Sequence, residues 1–124
     1  MENPPFNPEV LRYPEEAIKK AVEEFGTPFF LFEEGRIRER CREMIETFGK
    51  YFPDFRPIYA AKANFNPYIL KIIQEEGFGL DCSSSAEVQV CRALKSHGMH
   101  TGNNLSHEEI AEIMDTPNLL LNVF

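Results

Sequence analysis

Lys62, Asp81 and the pair Asn103-Asn104 are the residues of this chain whose types and spacing could do chemistry together. Each lies at or just beyond the end of a short run that reads as a strand. In an alternating α/β chain the ends of strands and the starts of helices open onto a shared crevice, so three successive strands would bring an amine, a carboxylate and an amide to one rim. Lys62 stands in Ile58-Tyr59-Ala60-Ala61-Lys62-Ala63-Asn64-Phe65-Asn66-Pro67, flanked by three alanines. Small apolar neighbours would partly desolvate its ammonium, lower its pKa and leave room for a flat electrophile, the conditions under which a lysine attacks a carbonyl. That carbonyl belongs either to a substrate or to an aldehyde cofactor.

Plainer readings stand beside this one. A lysine after a buried strand is most often a solvated charge, and Asp81 can simply cap the turn before the next helix. Ser84 and Glu87 fit the first and last positions of a capping box, and Cys82 reads as a small core residue rather than a nucleophile.

The elements that must position these residues are legible from period and punctuation. Beyond a Pro-rich leader, Pro14 to Phe25 reads as a helix stopped by Gly26, followed by a short strand at Phe29 to Phe32. Gly35 to Phe52 carries an apolar stripe of Ile37, Cys41, Met44, Ile45, Phe48 and Phe52, an amphipathic helix ended by Pro53. Pro57 to Ala61 reads as a strand buried on both sides, and Asn66-Pro67 as a helix start running to Gly77. Phe78 to Cys82 is the next strand, and Ser84 opens a helix to about His97, closed by Gly98. A weakly marked strand at Met99 to Thr101, a second capping box at Ser106 to Glu109 and a buried strand at Asn118 to Phe124 complete the series. Strand and helix units of about 20 residues imply parallel strands with helical crossovers. The chain stops on an apolar strand, an ending that looks cut rather than finished.

Composition narrows the functional classes. The chain has 124 residues, 43% hydrophobic, with a formal net charge of −7, and its basic residues are dispersed among acidic ones, which argues against nucleic acid as a partner. No run reaches membrane-spanning length and the start has no signal-peptide pattern, so the expected location is cytoplasmic, without a membrane partner. Cys41, Cys82 and Cys91 show neither a disulfide framework nor metal spacing. His97, His100 and His107, in polar, turn-rich sequence, read as solvated surface residues, and no metal site is expected.

The combination of YAAKANFNPYIL, GFGLDCSSSAEV 19 residues after the lysine, the upstream GTPFFLFEEGRIRERCREM and the downstream TGNNLSHEEI resembles one family. It is similar to the pyridoxal-phosphate-dependent ornithine, diaminopimelate and arginine decarboxylases with an alanine-racemase-like barrel, over about residues 15 to 124. The asparagine-rich follow-up and TGNN look most like the diaminopimelate branch, with the ornithine and arginine branches left open. The resemblance implies an α/β fold: the first half, about four strands, of a (β/α)8 barrel over residues 34–124. Residues 1–33 would supply a leader, a helix and a strand belonging to a second, β-rich domain. It further implies that Lys62 carries the pyridoxal phosphate, that Ala60 is the small residue beside the ring, that Asp81 lies near the ring, and that Asn64 and Glu87 stand at the rim. A small amino-acid substrate and, in the full-length form, a homodimer are also implied.

Ser83-Ser84-Ser85 departs from the family's alanine-serine pattern, and Leu94 to Gly102 is shorter than its usual connection. The full barrel needs about 250 residues. The stacking histidine, the phosphate loop and the carboxylate at the ring nitrogen are all missing, so the 124-residue chain by itself is expected to be inactive. The rival from another class is a truncated, non-catalytic relative that acts by associating with a full-length partner.

Overall fold

The computed structural model describes residues 14–122; the Pro-rich leader and the last two residues of the expected final strand lie outside the described residues. Two compact units are present, Met1–Glu33 and Glu34–Phe124. In the first, helix α1 (Glu15–Phe25) starts after Pro14 and ends at Gly26, whose φ of 73° lets its N–H reach Val22 O at 2.9 Å. The expected strand at Phe29 to Phe32 does not form: residues 28–33 have no regular structure, and Phe30 is 91% exposed. β-propensity alone does not make a strand, and no described strand pairs with this run.

The second unit runs α2 (Glu34–Gly49), β1 (Ile58–Ala60), a 3-10 turn (Ala61–Ala63), α3 (Pro67–Glu75), β2 (Gly79–Cys82), α4 (Ser85–Ala93), β3 (Gly98–Thr101), α5 (His107–Met114) and β4 (Leu119–Asn122). The four strands form one parallel sheet in sequence order. The weakly marked third strand is therefore real. Helix α4, by contrast, stops earlier than its sequence implied. It ends at Ala93, the chain reverses at Lys95 with φ 52°, and Gly98 opens β3 instead of closing the helix. Gly98 is required by packing: a Cβ there would lie 2.1 Å from the carbonyl oxygen of Leu80 on β2.

The helices cover one face of the sheet. Leu80 and Cys82 from β2 pack with Leu70 of α3, Val88 and Cys91 of α4 and Ile113 of α5, and Tyr59, Leu119 and Leu121 close the margins. The other face alternates with it and is open, with Ile58 38% and Leu120 71% exposed. β1 and β4 are thus not buried on both sides as their apolar runs suggested. The open face is the one that a (β/α)8 barrel turns toward its own axis.

Helix α2 packs on α3 by burying Cys41 against Ile69, Ile73 and Phe78, with Ile37 and Ile45 alongside. The outer part of its stripe is left half exposed at Met44 and Phe48. A charged clamp joins the same two elements: Glu76 accepts from Arg42 Nε at 2.6 Å and from Arg38 Nη1 at 2.9 Å. Arg42 foremost, with Arg38, holds the Glu76 carboxyl below the usual carboxylate range.

Candidate active site

Register places one row of residues across all four strands on the open face, Ala60, Asp81, Met99 and Leu120, running from the last residue of β1 to the second residue of β4. Two residues past Ala60, Lys62 sits in the 3-10 turn that closes β1. Ala61 is fully buried in the core, whereas Lys62 beside it is exposed and makes no hydrogen bond or ion pair with any described residue. The expected partial desolvation of the lysine is therefore not observed. Ala61, not the ammonium, occupies the apolar position, and Lys62 and Ala63 are both exposed.

Asp81 is half-buried, and its Oδ1 is completely enclosed without a hydrogen-bond partner. A buried carboxylate oxygen with no donor is unusual, since enclosed polar atoms are nearly always paired. β2 also packs against the Ala61–Ala63 turn, which brings the Asp81 strand end and the lysine turn to one corner of the sheet.

The flanking residues are committed to local structure. Asn64 Oδ1 accepts from Asn66 N–H at 3.1 Å, an Asx turn, and Asn66 in turn caps α3 by accepting from Tyr68 N–H at 3.0 Å. Glu87 does not complete the expected capping box with Ser84. Ser84 Oγ does accept from Glu87 N–H, but the Glu87 carboxylate reaches one residue further, to Ser83 N–H at 2.7 Å and Ser83 Oγ at 3.3 Å. It thereby ties down the loop that follows Asp81 and Cys82. The Ser106 box is complete: Ser106 Oγ accepts from Glu109 N–H, and Glu109 accepts from Ser106 N–H at 2.8 Å, a bond that holds the Glu109 carboxyl below its usual range. Asn103 and Asn104 are exposed at the end of β3, with Asn104 at φ 60°.

Cys82 is fully buried, and contact with the Cys91 thiol, together with burial, pushes its thiol up, so it is a core residue and no nucleophile. Sequence reading missed His100. Taken for a solvated residue, it is 2% exposed, and its Nδ1 is enclosed without a partner. A cleft of about 560 Å³ lined by Arg56, Ile58, His97 and Leu120 lies at the opposite, N-terminal end of the strands, away from Lys62.

Four parallel strands in sequence order with helices on one face, an exposed lysine just past the first strand and an unpaired carboxylate oxygen on the next have the architecture of part of a (β/α) barrel. Residues 34–115 match the model of the pyridoxal-dependent decarboxylase family, over its pyridoxal binding domain, and the chain belongs to that family. It is 33% identical over 98 residues to a diaminopimelate decarboxylase of Methanothermobacter thermautotrophicus, covering 77% of this chain and 23% of that protein. A second, from Aquifex aeolicus, is 31% identical over 110 residues, covering 86% and 25%. A crystal structure of AQ1208 from Aquifex aeolicus superposes with a TM-score of 0.71 at 31% identity, over 86% of this chain and 26% of that one. The chain thus spans about a quarter of the length of these relatives.

The residues present fit pyridoxal phosphate at its aldehyde end: an unpartnered lysine amine, small Ala60 in register with Asp81, and the unpaired Asp81 Oδ1.

Proposed function

We propose that this chain is the cofactor-capturing part of a pyridoxal-phosphate-dependent amino-acid decarboxylase, with diaminopimelate as the substrate. The observation that carries the reading is the pairing of a free Lys62 amine with an unpaired Asp81 Oδ1 at the same end of adjacent strands. The run of diaminopimelate decarboxylases among the relatives supports the substrate. Pyridoxal phosphate, when bound, supplies the electron sink that takes up the electron pair left by departing carbon dioxide.

The protein's own part is positional. Lys62 would hold the cofactor through its side-chain amine. Ala60 leaves space on the open face, and Asp81 receives a donor that the protein does not supply. Glu87 and Asn64 act indirectly, by fixing the loop after β2 and the entry to α3. Residues 34–122 form the barrel part of this unit, and the full-length protein works as a homodimer.

The test is borohydride trapping. The protein is incubated with pyridoxal phosphate, reduced, digested and read by peptide mass spectrometry. Selective pyridoxyl labelling at Lys62, absent in Lys62→Ala, is expected. Labelling spread evenly over Lys19, Lys20, Lys50, Lys71 and Lys95 would sink the reading.

A further inference from the structure

Among the described residues, two buried side-chain atoms lack a hydrogen-bond partner, Asp81 Oδ1 and His100 Nδ1. The first belongs to the rim just described. The second does not: His100 is in register with Cys82 and Leu121, so it points to the helix-covered face of the sheet, one residue before the strand ends. An enclosed unpaired nitrogen is costly, and a phenylalanine or leucine would fill the same space without that cost. Pairing Nδ1 would remove that cost and would require an arrangement other than this one.

The partner for that arrangement is close. The imidazole lies against Gly102, where a Cβ would stand 2.8 Å from ring Cε1, 3.4 Å from Nδ1 and 3.4 Å from Leu105 Cδ2. Gly102, the first residue of the loop Gly102–Leu105, therefore lies against the ring edge that carries Nδ1. It is anchored at one end by the Thr101 to Asn122 pairing and at the other by the Ser106–Glu109 capping box. Between those anchors it carries Asn103 and Asn104, both exposed at the rim. The charged group associated with His100 on α5 is Glu109, and its carboxylate is already engaged by the cap.

We propose that His100 is a positioning residue. When the rim beside Lys62 and Asp81 is occupied, the loop Gly102–Leu105 draws down, one of its backbone N–H groups donates to Nδ1, and the Asn103 and Asn104 amides are brought toward the ligand. The inference rests on the proposed cofactor site, and a cofactor-free readout separates the two.

The experiment follows the imidazole nitrogens of His100 and the loop amides by NMR, before and after pyridoxal phosphate is fixed by borohydride. Nδ1 is expected to be unpaired in the free protein and hydrogen-bonded after loading, with one amide of Gly102 to Asn104 exchanging at least tenfold more slowly. His100→Phe is expected to abolish that protection and weaken cofactor capture about tenfold, the loss of one buried hydrogen bond. His100→Asn, which keeps a polar atom near the Nδ1 position, is expected to restore part of both, and decides the matter if the phenylalanine variant does not fold. Lys62 trapped with Nδ1 and the loop amides unmoved overturns the positioning role alone, as does an Nδ1 already paired in the free protein. Failure to trap Lys62 at all overturns the cofactor site and the loop closure together.

Discussion

Replacing Gly98 by alanine tests whether the strand spacing that delivers the rim is fixed by backbone contact. The added Cβ would stand 2.1 Å from Leu80 O and 3.1 Å from Leu80 N, about 0.9 Å inside the shortest contact that real Cβ atoms make. The obstructing atoms are backbone, so β2 and β3 must separate. Overpacking a well-packed site costs ~1–3 kcal/mol, and an immovable neighbour puts this case at the upper end. Separation also strains the 3.0 Å bond from Leu80 N–H to His97 O, at ~1 kcal/mol. The total, ~3–4 kcal/mol, is a large share of the ~5–15 kcal/mol that holds a domain together. At ~1–2 kcal/mol per molar urea, the unfolding midpoint should fall by ~1.5–4 M. Gly49→Ala is the matched control. A Cβ at that last residue of α2 meets nothing within 4 Å, and alanine is the better helix former by up to ~1 kcal/mol, so its midpoint should hold or rise. A Gly98→Ala midpoint equal to that of the unsubstituted chain would refute the claim that this contact sets the sheet.

Two further outcomes follow from the caps and charges. Ser106→Ala removes the side-chain acceptor at the start of α5 and should cost ~1 kcal/mol, seen as a fall of about 4–8 °C in a thermal melt; an unchanged melt would mean that water caps the helix equally well. Because Arg42 and Arg38 depress the Glu76 carboxyl in the folded chain, its contribution is complete above the ordinary carboxylate pKa of about 4.3 and is lost as pH falls through the lower folded value. Urea midpoints of the unsubstituted chain and Glu76→Gln should therefore differ at pH 6 and the gap should shrink progressively as pH falls below about 4.3, and a gap that does not shrink would remove the clamp from the account.

What the sequence made legible and what it hid divide along one line. Signals that act through neighbouring residues came through: Asn66 before Pro67 caps α3, Ser106 and Glu109 close their box, and each strand before a helix pairs in sequence order. Signals that depend on which way a side chain faces across the sheet did not. The run Leu119-Leu120-Leu121 read as buried on both sides, yet only alternate members meet the helices, since Leu120 lies on the open face. Lys62 read as desolvated, but the buried member of its turn is Ala61. The same error concealed His100. Its neighbours Met99, Thr101 and Gly102 gave a polar, turn-rich impression, whereas placing Gly98 to Thr101 as a strand in register with Gly79 to Cys82 sets His100 opposite Cys82, on the core side. Period two, applied to a four-residue strand once its neighbour's register is known, would have found it. The same rule puts Ala60, Asp81 and Met99 on the face away from the helices, so a side chain on that face with no partner, such as Asp81, is unpaired because its partner is not a helix of this sheet. Under the proposed function that partner comes from the barrel interior or from what binds there, and the unpaired oxygen, more than the exposed lysine, therefore carries the proposal.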